Sequence, residues 1–491
     1  MSITELLERL DQLGIVLSVK GDELIVRGKK HRLEPSLVNL LRENKQALIE
    51  VIQSGSYSRT QTEFVDIPPN PIPAMCTVIT PSMLPLVDLT QEQIDRVVAT
   101  VPGGAANVQD IYPLAPLQGS VLFHSLMSSD ADVYLNAVYS VDSVEQLENL
   151  QRALQAVIDR HDILRTAVLW EDLPEPVQLV WRRAPLEVDE VSIDAAGNDA
   201  FEQLQARFDR NRYRMDVRVA PLMRVGIARD ERNGRWLMLC VLHHLAGDRA
   251  TVELLQQEVQ AHLLGQAEKL QRPVPFRNFV AQSRLGVSRA EHETFFRELL
   301  RDVDEPTRPY ELCEGRGHHE AELQLDVQLA RRVRACARGL GVTAASIFHV
   351  AFARVLARLS SRSDVVFGSV LLGRMQGQEG SGQALGLFIN ALPVRIKTSE
   401  QGVAESVRQM HAQLTRLLRH EHAPLALVQR CSEIAAPAPL FNTLLNYRHS
   451  EVGERTAESP QAAEGIAPLH ETTRSRNPLL RTSAQHFPAD K

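Results

Sequence analysis

The feature that most constrains the fold of this chain is the alternation of helix and strand patterns between residue 111 and about residue 450. Segments such as QLENLQRALQAVIDRHD and ATVELLQQEVQAHLLG carry apolar residues at helical spacing, whereas WLMLCVL and DVVFGSVLLG are short, nearly continuous apolar runs. Such runs are typical of strands that are buried on both faces. The alternation therefore predicts a layered α/β or α+β architecture, with helices packed on sheets.

The flanking regions have different compositions. Residues 1–53 predict a small unit that contains a capped helix, a hairpin around KGD (residues 20–22) and a second helix in EPSLVNLLRENKQALIEVI. So small a unit leaves a strand edge uncovered, and an exposed edge can accept a partner's strand. Residues 54–107 are rich in Pro, Ser and Thr, which predicts a linker with one short helix, TQEQIDRVVATV. Residues 451–491 lack periodicity, so we expect them to be mostly disordered.

Charge and cysteine content exclude several classes of protein. A net charge of -7 argues against a broad nucleic-acid-binding surface, because phosphate binding requires clustered Lys and Arg. The five cysteines are far apart and form no CxxC pair, so we expect a reduced, cytoplasmic chain without disulfides. The N-terminus is acidic and no uncharged apolar stretch reaches about 18 residues, so we expect neither secretion nor membrane insertion.

The motif HHLAGDR (residues 243–249) directly follows an apolar strand. Adjacent strand residues point to opposite faces, so we expect one of His243 and His244 to face the core and the other a cleft. Asp248 is placed to cap the next helix or to pair with an arginine. Three interpretations stay open: a buried structural pair, an acyl-transfer site in which His244 handles a proton, and a zinc site, which the divergence of the two histidines disfavours.

Six segments of the chain resemble, in order, the motifs of the condensation domains of nonribosomal peptide synthetases. They are YPLAPLQGSVLFHSL from residue 112, RHDILRT from 160, HHLAGDR from 243, LGLFINALPVR from 385, HEHAPLALVQR from 420, which is loosely similar to the family's HQDxPFE, and APLFNTLLN from 438. The resemblance implies two chloramphenicol acetyltransferase-like lobes in a V shape, at residues 108–268 and 269–450. Residues 1–53 separately resemble N-terminal docking domains of the tubulysin-synthetase type.

The resemblance also implies a chemistry. Condensation domains form an amide bond between a carrier-bound donor acyl or peptidyl thioester and a carrier-bound acceptor amine. Both substrates arrive on phosphopantetheine arms of carrier proteins, so we expect no cofactor and no metal on the chain itself. The docking domain would recruit the C-terminal docking peptide of an upstream synthetase subunit.

Residue roles follow from the same resemblance. His244 would deprotonate or hold the attacking amine, with His243 as its structural partner. Asp248 would form a salt bridge that shapes the loop, with Arg165 or Arg395 as the candidate partners. Asn390 is expected to line the site.

Two departures from the family pattern matter. Arg249 stands where the family usually has glycine, so we expect its side chain to narrow the substrate channel. The sequence after residue 450 does not resemble the family's final strands and helix, so we expect a truncated second lobe. The alternative function is therefore a catalytically inactive synthetase fragment that acts only as a docking or scaffold module. A free-standing acyltransferase of the same fold is disfavoured by the docking unit.

Overall fold

The computed structural model describes most of the chain, namely residues 6, 16–20, 23–27, 35–46, 48–49, 65–127, 134–194, 197, 199–208, 213–309, 323, 325–373, 384–398, 401–435, 438–447 and 466–470. Its helices are α1 (Pro35–Glu43), α2 (Gln91–Ala99), α3 (Pro116–Met127), α4 (Val144–Arg160), α5 (Ala200–Arg207), α6 (Arg249–Leu263), α7 (Arg277–Leu285), α8 (Arg289–Leu300), α9 (Val327–Leu340), α10 (Ala344–Leu359), α11 (Val403–Arg419) and α12 (Leu425–Gln429). Its strands are β1 (Val16–Lys20), β2 (Glu23–Arg27), β3 (Val108–Pro113), β4 (Tyr134–Val141), β5 (Thr166–Leu169), β6 (Val177–Trp181), β7 (Val188–Glu190), β8 (Met223–Asp230), β9 (Arg235–His243), β10 (Asp364–Leu371), β11 (Asn390–Lys397), β12 (Leu444–Leu445) and β13 (Ile466–His470). The predicted mixture of helices and sheets is confirmed.

The N-terminal unit contains the predicted hairpin. Strands β1 and β2 pair antiparallel with Lys20 opposite Glu23, and α1 provides the predicted second helix. The first predicted helix lies outside the described residues, apart from the buried Leu6. Within the described part of the chain, β1 and β2 form a two-stranded sheet, so each strand has one edge without a strand partner.

The first lobe is built on a five-stranded sheet in the order β13-β4-β9-β8-β7. Its strands are antiparallel apart from the parallel pair β7 and β8. The central strand β9 is buried from Leu237 to Leu242, which confirms the strand predicted from WLMLCVL. Helices α4 and α6 pack on each other and on β4, and their buried faces belong to one apolar core.

Residues 65–107, the described part of the region that we predicted to be a linker, form an outer layer of this lobe, which corrects that interpretation for these residues. The predicted helix α2 is present and is closed by a capping box between Thr90 and Gln93. Apolar residues before α2 and within it are buried against the three-stranded sheet β3-β6-β5, among them Ile72, Leu89 and Ile94. The physical reason is that this sheet has an apolar outer face that must be covered.

The second lobe contains the three-stranded sheet β11-β10-β12, in which β10 pairs antiparallel with β11 and parallel with β12. Helices α10 and α11 pack against each other, α10 on β10 and α11 on β11. Strand β10 confirms the segment predicted from DVVFGSVLLG, and α10 confirms the helix predicted before it. A second apolar core, distinct from that of the first lobe, lies between these elements.

Two buried carboxylates hold the chain where it passes between the lobes. Asp162 accepts hydrogen bonds from the backbone N–H of Phe276 at 3.0 and 3.1 Å, and Asp110 pairs with Arg277 at 2.6 Å. Burial raises the pKa of Asp110 to about 6 although Arg277 lowers it, so the carboxylate is charged at neutral pH. Phe276 and the segment 384–388 lie in the core of the first lobe, so the predicted second lobe contributes to both cores.

Within residues 451–491 the structure describes residues 466–470, which form strand β13, and the rest of the region that we expected to be mostly disordered lies outside the described residues. Strand β13 pairs antiparallel with β4, with Ile466 opposite Val141. Without β13, strand β4 would form the edge of the five-stranded sheet, and the pairing satisfies its backbone groups. Pro468 is tolerated because β13 is itself an edge strand.

In the described residues no single helix is long and apolar enough to cross a membrane. One pair, α9 with α10, passes the same length and composition test only when taken together, and it is bent by 107° at the break.

The pair formed by Asp110 and Arg277 generates a test of how the lobes are joined. We expect Asp110→Asn to lower the free energy of unfolding by about 3–5 kcal/mol, because it leaves a guanidinium buried without its counter-charge. The matched control is Glu175→Gln, which breaks a partly exposed pair with Arg284 and should cost less than about 1 kcal/mol. Urea unfolding followed by tryptophan fluorescence measures both, and equal losses would contradict the role of Asp110.

Candidate functional site

The HHLAGDR motif lies where strand β9 turns into helix α6. Strand β9 ends at His243, residues His244–Ala246 form a single 3-10 turn, and Asp248 caps α6. Pairing of β9 with β4 and β8 fixes the backbone of His243, which lies opposite Tyr134. The strand, the turn and the cap therefore fix the positions of the two histidines and the aspartate.

His243 is held by its own turn. Its Nδ1 accepts a hydrogen bond of 3.1 Å from the backbone N–H of Leu245, so the proton of the neutral ring lies on Nε2. The ring of Tyr134 meets the imidazole edge to face, with centroids 5.6 Å apart. These contacts support the structural role expected for His243.

His244 differs from its neighbour in its hydrogen bonding. Neither ring nitrogen has a hydrogen-bond partner among the described residues. Burial lowers the pKa of His244 below its ordinary value of 6.5, and the nearby backbone of His244 itself and the carboxylate of Asp248 oppose that shift only in part. The ring is therefore a neutral imidazole at pH 7, able to accept a proton at one nitrogen and to donate one at the other.

Both histidine side chains are completely buried, at 0% exposure. The expectation that one of them faces a cleft is therefore wrong for this structure. Because the strand ends at His243, the next residue enters the 3-10 turn and packs under the start of α3. Any reaction at His244 requires a movement that opens a path to its ring.

The carboxylate of Asp248 forms hydrogen bonds with Thr251. It accepts from the backbone N–H of Thr251 at 2.9 Å and lies 3.1 Å from the hydroxyl of that residue. The same hydroxyl accepts from the N–H of Gly386 at 3.0 Å and lies 2.9 Å from its carbonyl oxygen. The hydroxyl has one proton, which it donates either to the carboxylate of Asp248 or to the carbonyl oxygen of Gly386. In both cases Thr251 links the cap of α6 to the segment before β11 by hydrogen bonds.

Gly386 is suited to this contact because of its backbone. Its φ of +144° lies in a region that residues with a side chain rarely adopt, and a Cβ there would collide with the ring of Phe276. Phe276 is itself bonded to Asp162, in the RHDILRT motif. Two of the six motifs thus meet at the start of α6.

The predicted salt bridge of Asp248 with Arg165 or Arg395 is wrong. Arg165 donates to Oε1 of Gln109 at 2.8 Å and to the carbonyl oxygens of Ile158, Trp181 and Arg182. Arg395 lies on β11 and pairs with Asp302 and Asp364, which raises its pKa. Each arginine is thus bound within its own lobe, whereas Asp248 lies at the junction between the lobes.

The other two predicted residues make contacts with other parts of the chain. Asn390 donates from Nδ2 to the carbonyl oxygens of Glu421 at 2.7 Å and Ala423 at 2.9 Å, and so holds the loop of the HEHAPL segment. Arg249 lies in the first turn of α6, is partly exposed and pairs with Glu253 at 2.9 Å. The expectation that Arg249 narrows the substrate channel stays a prediction.

Sequence reasoning missed three residues around the site. Gln118 donates 2.7 Å and 2.9 Å hydrogen bonds to the carbonyl oxygen of Leu245 and to Oε1 of Gln178. Thr251 was signalled by its position three residues after a capping aspartate. His422 lines a cavity of about 590 Å³, and the only signal for it is its place in HEHAPL. The described part of the chain contains no group of three or more His, Cys, Asp or Glu arranged for a metal ion.

The link through Thr251 generates a second test. We expect Thr251→Val to lower the free energy of unfolding by about 1–3 kcal/mol and to speed amide hydrogen exchange at Gly386, because its buried N–H and carbonyl lose their partner. The control is Thr294→Val on the exposed side of α8, for which we expect less than about 0.5 kcal/mol. Unchanged exchange at Gly386 in Thr251→Val would show that the segment is held by other contacts.

Comparisons with known sequences agree with this arrangement. A family model described as Condensation domain matches residues 108–476, and one described as TubC N-terminal docking domain matches residues 3–53. Malpinin synthetase of Mortierella alpina is 47% identical over 406 residues, which is 82% of this chain and 5% of that protein. Gramicidin S synthase 2 of Brevibacillus brevis is 28% identical over 341 residues, 67% of this chain and 8% of that protein. The chain thus spans only 5% and 8% of the lengths of these two curated relatives.

Solved structures show the same fold. The condensation domain from the Monacolin K polyketide synthase MokA matches with a TM-score of 0.56 at 20% identity, covering 76% of this chain and 88% of that one. The cyclization-docking bidomain of the EpoB nonribosomal peptide synthetase from Sorangium cellulosum matches with a TM-score of 0.57 at 17% identity, covering 91% and 92%. With the matching family models, these findings show that the chain belongs to the condensation-domain family of nonribosomal peptide synthetases and carries a TubC-type docking domain at its N-terminus.

Proposed function

We propose that this chain catalyses amide-bond formation between a carrier-bound acyl or peptidyl thioester and a carrier-bound acceptor amine. The observation that carries the proposal is the imidazole of His244, which stands at the end of β9 with both ring nitrogens unbonded among the described residues. A neutral imidazole without other partners is suited to accept the proton of an attacking amine.

The proposed reaction balances with no further reactant. The nitrogen of the acceptor amine attacks the carbonyl carbon of the donor thioester, and a C–N bond forms. His244 accepts the proton released by the nitrogen. The tetrahedral intermediate collapses, the C–S bond breaks, and the proton passes to the leaving sulfur of the donor's phosphopantetheine arm. The growing acyl group is then joined by an amide to the acceptor residue, which stays bound to the acceptor carrier through its own thioester. His243 and Asp248 act as positioning residues through the turn and the cap.

Access to His244 is part of the proposal, because its ring is completely buried. The segment 384–388 packs in the core of the first lobe, and Thr251 bonds its Gly386. We infer that substrate entry requires the lobes to separate near this segment. Such lobe motions are a common way for enzymes to admit substrates and exclude water.

The same burial favours a second candidate function, a docking or scaffold module without catalysis. In that case His244 would be a buried structural histidine, as in the first of the three interpretations drawn from the sequence. The two candidates differ in whether the native chain makes product, so one assay decides between them.

We also propose that residues 1–53 bind the C-terminal docking peptide of an upstream synthetase subunit. The support is the match to the TubC docking family and the two-stranded sheet of β1 and β2, each of which has an edge without a strand partner in the described part of the chain. An extended peptide can add to such an edge through backbone hydrogen bonds.

The test of catalysis uses donor and acceptor carrier proteins loaded with aminoacyl thioesters, with the dipeptidyl product measured by mass spectrometry. We expect the native chain to form product and His244→Ala to be slower by about 10²–10⁴-fold. The matched control is His411→Ala on α11, which should keep native activity. Because burial lowers the pKa of His244, we expect the native rate to hold as the pH falls to 6.5 and to decline only below it.

Product formation that is unaffected by His244→Ala would refute the assignment of this residue. A native chain that makes no product with any loaded pair would favour the scaffold function.

The docking proposal is tested by titrating the full chain with C-terminal peptides of upstream synthetase proteins. We expect saturable binding that is lost when Val26 on β2 is replaced by proline, because proline removes a backbone N–H and disrupts the strand. Binding that survives this change, or binding to none of the peptides, would contradict addition at the hairpin edge.

A further inference from the structure

A cavity of about 590 Å³ lies between the start of α3, helices α7 and α8, and the segment that contains α12. This volume is within the range of sites that hold a small organic group. Much of its wall is apolar and includes Leu114, Val280 and Leu427. Polar side chains also line the cavity, and their charges and hydrogen-bonding groups indicate the chemistry of a group that could bind there.

Two buried histidines, His292 and His422, line the cavity. The side chain of His422 is about nine-tenths buried, and its Nε2 has no hydrogen-bond partner among the described residues. The closest carboxylate, Oε1 of Glu421, lies 3.8 Å from that nitrogen and does not line the cavity. Asn390 fixes the loop on both sides of His422 by bonding the carbonyl oxygens of Glu421 and Ala423. The ring is therefore held in place with a nitrogen available for a hydrogen bond.

The charged groups that line the cavity are not balanced. Arg284 pairs with Glu175 at 2.5 Å, and Arg289 pairs with Glu293 at 3.2 Å. Arg430 is exposed and has no ion pair in the part of the chain that the structure describes. The lining thus presents one cation whose charge no described carboxylate pairs with.

The sequence of this wall points the same way. The segment HEHAPLALVQR contributes His422, Ala426 and Arg430 to the lining of the cavity, and none of its lining residues carries a negative charge.

The cavity is next to the loop that carries His244. Pro116 and Gly119 in the first turn of α3 line it. Gln118, in the same turn, donates a 2.7 Å hydrogen bond to the carbonyl oxygen of Leu245, the residue after His244. The first turn of α3 therefore contacts both the cavity and the loop that carries His244.

We propose that this cavity binds a carboxylate-bearing side chain of one of the two tethered substrates, with Arg430 supplying the charge and His422 a hydrogen bond. The inference rests on the proposed function, because it treats the bound group as part of a substrate. It makes Arg430 a specificity-determining residue that favours acidic over neutral substrates of the same shape, and His422 a binding residue for both kinds of substrate.

The test uses two stable pantetheine analogues in which an amide replaces the thioester, one carrying an N-acetylglutamyl group and the other an N-acetylglutaminyl group. Binding to the full chain is measured by calorimetry. We expect the glutamyl analogue to bind about fivefold more tightly, the size typical of a partly exposed ion pair. Arg430→Gln should bring the two affinities together without changing that of the glutaminyl analogue.

Two further variants test the hydrogen bond of His422 and provide a control for the loss of an arginine. His422→Phe should weaken both analogues equally, because a carboxylate and an amide carbonyl both accept a hydrogen bond. Arg338→Gln removes an exposed arginine of α9 that does not line the cavity, and it should leave the preference for the glutamyl analogue unchanged.

Equal affinity of the native chain for the two analogues, a preference that survives Arg430→Gln, or binding of neither analogue would overturn the inference. Its failure is distinguishable from failure of the proposed function. If only the cavity assignment is wrong, loaded carriers still give dipeptidyl product that depends on His244, with no preference for acidic substrates.

Discussion

The hydroxyl of Thr251 is the contact on which the geometry of the site depends. It lies within hydrogen-bond distance of Asp248, which caps α6, and of both backbone groups of Gly386, which belongs to the segment before β11. A side chain with one proton and two lone pairs can bond three neighbours at once. Through it, the loop that carries His244 is fixed to a part of the chain 135 residues away.

The two histidines at the centre of our proposals have the same chemistry and different surroundings. His244 is completely buried beside the cap of α6, and His422 lines a cavity that Arg430 also lines. Burial lowers the pKa of both, to about 4 for His422, so both rings are neutral at pH 7. A neutral ring beside a reacting amine can accept its proton, whereas a neutral ring in a cavity wall can orient a substrate by one hydrogen bond. The two proposed roles therefore differ because of where each histidine lies, since both rings have the same protonation state.

The two lobes are joined by segments of the chain that pack against both of them. Asp162 and Asp110 of the first lobe hold Phe276 and Arg277, and the segment 384–388 completes the first lobe's core. Strand β13 adds to the edge of the first lobe's sheet after the chain has built the second lobe. Opening a path to His244 therefore means loosening contacts of these crossing segments while each lobe keeps its own core.

The sequence by itself determined the elements and the order of the motifs. Strand β9, helix α6 and the cap at Asp248 follow from apolar periodicity and from a capping residue, which act over a few residues. The same local reasoning read residues 54–107 as a linker and gave Asp248 the wrong partner. Only the tertiary structure decided that Ile72 and Ile94 cover a sheet, that Thr251 bonds Asp248 while Arg165 and Arg395 bond other groups, and that His422 lines a cavity. The physical reason is that burial and pairing depend on which distant segments meet, and a single sequence records periodicity along the chain but not contacts across it.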